Sequence, residues 1–185
     1  MYEGKDGSHN RRSLRLINYD YATPGAYFVT IISYKRSPIF CKVDRGEVLL
    51  SQIGVTVEDC WRKIPFHYPF VRVSDYVIMP NHIHGIIEVK HFPNEVSKDI
   101  FINQKYRQKH IPKGPQSNSL GAIIGSFKSA STKYVHRLGL THQKTIWHRN
   151  YYEHIIRDDQ DYHRIVEYIQ LNPSNWANDQ EFVLI

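Results

Sequence analysis

Two histidines, His82 and His84, flank a single isoleucine within a run rich in β-branched residues. On a strand, alternate side chains share a face, so both imidazoles project to one side while Ile83, Gly85, Ile87 and Val89 project to the other. A neutral imidazole is a good ligand for divalent metals. Two of them leave positions open for water, a third protein ligand and a phosphate oxygen, an incomplete sphere that can act as a Lewis acid. The chain has 11 histidines, and an ordinary hydrogen-bonded pair satisfies the same spacing, so the motif alone leaves both readings open. No further Cys, Asp or Glu clusters around it, which argues against a closed structural zinc site.

Tyr168 and Asn172 form a second constellation. Four residues apart on a helix, they share one face, on the flank of the apolar stripe Tyr162, Ile165, Val166, Ile169. A phenol with a pKa near 10 is a poor nucleophile in water, but a nearby metal favours its phenolate and neutralises a phosphodiester under attack. Asn172 could give an oxygen to the same metal. The other reading makes Tyr168 a half-buried packing residue and Asn172 a helix cap before Pro173.

The elements that must position these residues are legible in outline. The run 26–33, rich in aromatic and β-branched residues after the Pro24-Gly25 turn, predicts a first strand. Ile53, Val57, Trp61 and Ile64 recur at helical spacing, with Ser51 as N-cap and Pro65 as stop. Two strands, 71–79 and 83–89, split by Pro80-Asn81, predict an antiparallel hairpin. Leu120, Ile123, Ile124, Phe127, Tyr134 and Leu138 mark a second helix, begun near Ser117 or Ser119 and ended at Gly139. A third starts at Asp158 or Asp159 and stops at Pro173. Together they predict an α+β sandwich, an antiparallel sheet covered by helices.

The 185 residues suit one domain, expected over 11–180 behind a flexible N-terminus at 1–10 and interrupted by a long basic loop at about 91–118. Lys and Arg number 24 against 18 acids, a net charge of +6, and the expected partner is an anion, nucleic acid ahead of membrane. Arg11, Arg12 and Arg15, then Lys105, Arg107 and Lys109, are candidates for holding a DNA backbone, as is Lys128 on the second helix. The two cysteines, Cys41 and Cys60, support neither a disulfide framework nor a zinc site, and no apolar run is long enough to span a bilayer. The expected location is the cytoplasm.

Segment 76–87, which holds His82-Ile83-His84, followed downstream by 168–173, which holds Tyr168 and Asn172, resembles the single-tyrosine transposases of the His-hydrophobe-His (HUH) family, most nearly the REP-associated tyrosine transposases. Segments 19–30, 125–129 and 146–154 resemble the same group, so the likeness spans about 11–179. It implies a ferredoxin-like sandwich with the histidines on a central strand and the tyrosine on a helix packed over it. It further implies Mg2+ or Mn2+ on His82, His84 and Asn172, with Tyr168 as the nucleophile. The reaction implied is a transesterification of single-stranded or hairpin DNA, with palindromic repeat elements as the expected substrates. The product would be a 5′-phosphotyrosine and a free 3′-hydroxyl, formed by a monomer or a homodimer. Tyr151 and Tyr152 compete for the nucleophile's role, while Glu153 and His154 suit a structural polar contact. The alternative function is a non-catalytic, domesticated module that holds single-stranded nucleic acid on the same sheet and basic loops.

Overall fold

The computed structural model describes residues 23–90 and 118–176. Arg11, Arg12, Arg15, Lys105, Arg107 and Lys109, the expected N-terminal segment at 1–10 and nearly all of the expected basic loop lie outside the described residues. Strand β1 (Gly25–Ile32) is followed by a small hairpin, β2 (Cys41–Asp44) and β3 (Glu47–Leu50), then helix α1 (Gln52–Arg62) and a single turn, α2 (Ile64–His67). The long hairpin β4 (Val71–Met79) and β5 (His82–Val89) comes next, then α3 (Leu120–Arg137), β6 (Tyr152–Ile156) and α4 (Asp159–Asn175).

Strands β1, β4, β5 and β6 form one antiparallel sheet in the order β4-β5-β1-β6. With α1 and α3 as the intervening helices, this is the β-α-β-β-α-β plan of a ferredoxin-like sandwich, with α4 added on the far face. The α+β class with an antiparallel sheet covered by helices is thus the observed one.

Alternation along the central strands divides the sheet into two faces. Tyr27, Val29 and Ile31 of β1 and Ile83, Ile87 and Val89 of β5 meet Val57 and Trp61 of α1 and Ile123, Ile124 and Phe127 of α3 in the larger core. Phe28 and Ile86 turn the other way, onto Ile165 and Ile169 of α4. Gly85 is required by this packing: a Cβ there would stand 2.5 Å from the Trp61 ring. Each long helix starts where a polar cap lets it. Ser51 accepts from the Gly54 N–H, Ser119 from Ala122 and Asp158 from Asp161.

Three local expectations need correction. Pro65 does not stop the chain's helical course but stands in the first turn of α2, where a missing N–H costs no hydrogen bond. Pro173 lies inside α4, which continues to Asn175. In the last turn the proline gives up a single i−4 bond, so Asn172 is a helix residue and not a cap. Tyr134 of α3 and Leu138 at its C-cap are 50% and 61% exposed, because the buried line runs Phe127, Ser131, Val135 in steps of four.

Candidate active site

The α4 face of the sheet carries the paired histidines. Register sets His84 between Thr30 of β1 and Val77 of β4, and His82 between Ile32 and Met79. Helix α4 crosses above them, with Tyr168 and Asn172 one turn apart along it and Trp176 a further turn on at its C-cap. The Tyr168 ring stands 5.1 Å from that of His84, and the Trp176 ring 6.0 Å from that of His82. Asn172, on the intervening turn and 3% exposed, is therefore held between the two contacts.

The histidines are almost completely buried, 1% for His82 and 0% for His84. Their partners assign a tautomer to each. The Nδ1 of His82 lies 2.7 Å from Asn81 Oδ1, an oxygen that only accepts, so the proton sits on Nδ1 and the lone pair on Nε2. The Nδ1 of His84 lies 2.9 Å from Thr30 Oγ1, and its Nε2 lies 3.2 Å from the Tyr168 hydroxyl. With the phenol donating, His84 carries the same tautomer as His82. Burial pushes His82 down to about 3. Burial, and then the neighbouring His82, push His84 well below the usual imidazole range. Both are thus neutral near pH 7, the protonation state in which imidazole binds metal.

Asn172 Oδ1 is buried with no hydrogen-bond partner among the described residues, a costly arrangement for an amide in a core and a fitting one for a ligand oxygen. No three His, Cys, Asp or Glu side chains gather as a metal cluster among the described residues. The groups that could hold a divalent ion are accordingly two imidazole nitrogens and one amide oxygen, a borderline-to-hard donor set.

Four residues singled out in the sequence thus meet at one place: His82, His84, Tyr168 and Asn172. Tyr168 is 40% exposed, with its hydroxyl at the imidazole and part of its ring open to solvent. Tyr152 lies in the cross-strand row of Thr30 and His84, one strand beyond Thr30. Tyr151 packs against the opposite core, with Lys128 Nζ 5.5 Å from its ring centre. His154 donates to Asp161 at 2.8 Å, tying β6 to α4; Arg164, first, and then His154 hold that carboxyl down to about 2. Lys128 does not reach outward: its Nζ donates to the carbonyls of His148, Arg149 and Asn150 at 3.0, 3.4 and 3.0 Å. Burial lowers its pKa to about 8.

Sequence reasoning passed over the groups that orient this site. Thr30 and Asn81 fix the two imidazoles, and Phe28 stacks on His84 with ring centres 5.3 Å apart. A lone polar residue in the apolar run of β1 was the available sign of Thr30, and adjacency to His82 that of Asn81.

No protein-family profile matches the chain. An uncharacterized protein of Haemophilus influenzae is 38% identical over 177 residues, covering 96% of both chains. A second protein of that organism, assigned to the REP-associated tyrosine transposases, is 25% identical over 154 residues, 83% of this chain and 73% of its own. The solved structure of a REP-associated tyrosine transposase bound to a REP hairpin shares the fold, with a TM-score of 0.56 and 20% identity over 88% of this chain and 74% of that one. In sequence and in fold, then, the chain is similar to the REP-associated tyrosine transposases.

Proposed function

We propose that this chain is a transposase that cleaves and rejoins single-stranded or hairpin DNA through a covalent bond to Tyr168. The observation that carries the reading is the Tyr168 hydroxyl 3.2 Å from His84 Nε2, one helical turn from the buried Asn172 Oδ1 that has no hydrogen bond among the described residues. Kinship with REP-associated tyrosine transposases, one of which is seen bound to a REP hairpin, supports DNA of that form as substrate.

His82, His84 and Asn172 would hold Mg2+ or Mn2+, which when bound neutralises charge on the phosphodiester and favours the phenolate. The chain's own residues do the rest. Asn81 and Thr30 keep both imidazoles in the ligand tautomer, and burial keeps them neutral. Phe28 walls the phenol, edge to face at 6.0 Å, and helix α4 fixes it above the strand. The Tyr168 oxygen forms a bond to phosphorus as the bond from phosphorus to the 3′ oxygen breaks. The phenolic proton ends, through solvent, on the departing 3′-hydroxyl. The phosphate stays esterified, so reversal by another 3′-hydroxyl needs no ATP.

The test is a denaturing gel of protein with a hairpin carrying a single-stranded flank and Mn2+. Wild type should give a protein-DNA adduct and Tyr168→Phe none. An adduct that persists in Tyr168→Phe moves the nucleophile elsewhere. Metal-independent binding without any cleavage turns the reading into that of a binding module.

A further inference from the structure

A second feature lies on the other side of the sheet. Helix α3 and the segment that follows it enclose an open groove of about 540 Å³, whose lining includes Lys133, His136, Lys144, His148 and Arg149 and no acid. The charge is one-sided far beyond the groove: no Asp or Glu occurs from 100 to 152. The cations come from separate stretches of chain, so their convergence belongs to the fold.

The groove is also built rigidly. The Lys128 ammonium holds three successive carbonyls, 148 to 150. His136 Nε2 donates to the Gln143 carbonyl at 2.6 Å, and Trp147 Nε1 donates to the buried Ser131 Oγ at 2.8 Å. These ties pin the 143–150 segment to α3, so the backbone that carries the exposed Lys144 and Arg149 is held in place beside the exposed Lys133 of α3. The wall reaches the active site's end of the sheet. The His148 N–H donates to the Ile32 carbonyl, and Ile32 is the cross-strand partner of His82.

We infer that this groove holds the sugar-phosphate backbone of nucleic acid flanking the reacting phosphate, with Lys133, Lys144 and Arg149 on successive phosphates and Lys128 as the pin that shapes it. The inference rests on the proposed DNA substrate but not on the tyrosine chemistry. Charge without acids selects a polyanion, and a groove too open to enclose a base reads backbone rather than sequence. Duplex stem and single strand share this chemistry, and the slope of affinity against salt separates them.

The experiment measures fluorescence anisotropy of a labelled blunt hairpin and of a labelled unstructured oligonucleotide across a salt series. The triple variant Lys133→Gln, Lys144→Gln, Arg149→Gln is compared with a control triple at exposed sites elsewhere, Lys42→Gln, Arg62→Gln, Arg72→Gln. The groove variant should bind on the order of a hundredfold more weakly than wild type at low salt. Its log-log salt slope should fall by about three units on duplex if the stem is held, or about two on single strand if the flank is held. In wild type, bound DNA should also protect Lys133 and Lys144 from amine acetylation mapped by mass spectrometry, a readout that needs no variant to fold. Equal weakening in the control triple, an unchanged groove variant, absence of salt-dependent binding by wild type, or no protection would each overturn the inference. Tyr168→Phe should bind through the groove normally. Groove-dependent binding with no adduct therefore sinks the tyrosine reading alone, and an adduct with a groove-independent affinity sinks the groove alone.

Discussion

The two faces of one sheet are packed to different ends. Toward α1 and α3 the core is large and aromatic: Trp61 lies on Gly85, edge to face with Phe127 at 5.2 Å, and Phe127 and Phe40 both meet Trp147. Toward α4 the core is small, and beside Phe28, Ile86, Ile165 and Ile169 it buries two imidazoles and an amide. Both imidazoles are hydrogen-bonded, but the Asn172 oxygen has no hydrogen bond among the described residues, so the α4 face gives up stability there that the other face must supply. The comparison teaches a division of labour. One face holds the fold, and the other keeps two neutral imidazoles and an amide buried beneath a tyrosine.

That division can be broken by substitution, one face at a time. The largest effect belongs to Tyr168→Phe. It should lower adduct formation on the order of a thousandfold or more while costing only about 1 kcal/mol in thermal unfolding, the worth of the hydrogen bond from its hydroxyl to His84 Nε2. On the opposite face, Trp61→Ala should cost about 3–5 kcal/mol in denaturant unfolding. Gly85→Ala, whose new Cβ would meet Trp61 at 2.5 Å and Tyr76 Cβ at 3.2 Å, should cost about 1–3 kcal/mol. If Trp61→Ala or Gly85→Ala abolished adduct formation in protein that still folds, the separation of faces would be wrong.

Asn172→Ala sharpens the contrast from the other side. In metal-free protein it removes an oxygen with no hydrogen bond among the described residues, so stability should move by only about 1 kcal/mol. With Mn2+ at a hundred times its dissociation constant, wild type should gain about 2.7 kcal/mol, and the variant should lose most of that gain. Differential scanning calorimetry with and without Mn2+ reads both numbers.

A change of pH probes the same two imidazoles without any substitution. His82 has its folded pKa depressed to about 3, against about 6.5 unfolded, so between those values the unfolded chain binds the extra proton. Its contribution is fully present above pH 6.5 and is lost as pH falls toward 3, at up to about 1.4 kcal/mol per pH unit. His84 shifts the same way and steepens the decline. Denaturant titrations at pH 7 and pH 5 should show this loss, and a flat profile would mean that the imidazoles are not buried neutral.

Much of this was legible in the sequence because alternation and helical period fix which face a residue takes. The strand of His82 and His84, their shared side and the one-turn spacing of Tyr168 and Asn172 follow from those periods. Depth does not. An apolar stripe on Ile83 to Val89 says where the main core is, but not that α4 would close the other face and leave His84 without exposure. The hairpin β2–β3 and strand β6 are four and five residues long, too short for pattern to outweigh local noise. Lys128 illustrates another limit. Helical position placed it off the buried stripe, yet its ammonium turned inward onto three carbonyls that no local pattern marks as acceptors. The cations of the groove are scattered from 133 to 149, so their convergence is a property of tertiary structure.

The most direct measurement is a crystal structure of the metal-free protein soaked with Mn2+, read at the manganese absorption edge. The account predicts one anomalous peak within bonding distance of His82, His84 and the Asn172 side-chain oxygen, with the Tyr168 hydroxyl beside it. A peak bound by other groups, or none between those three residues, would contradict it.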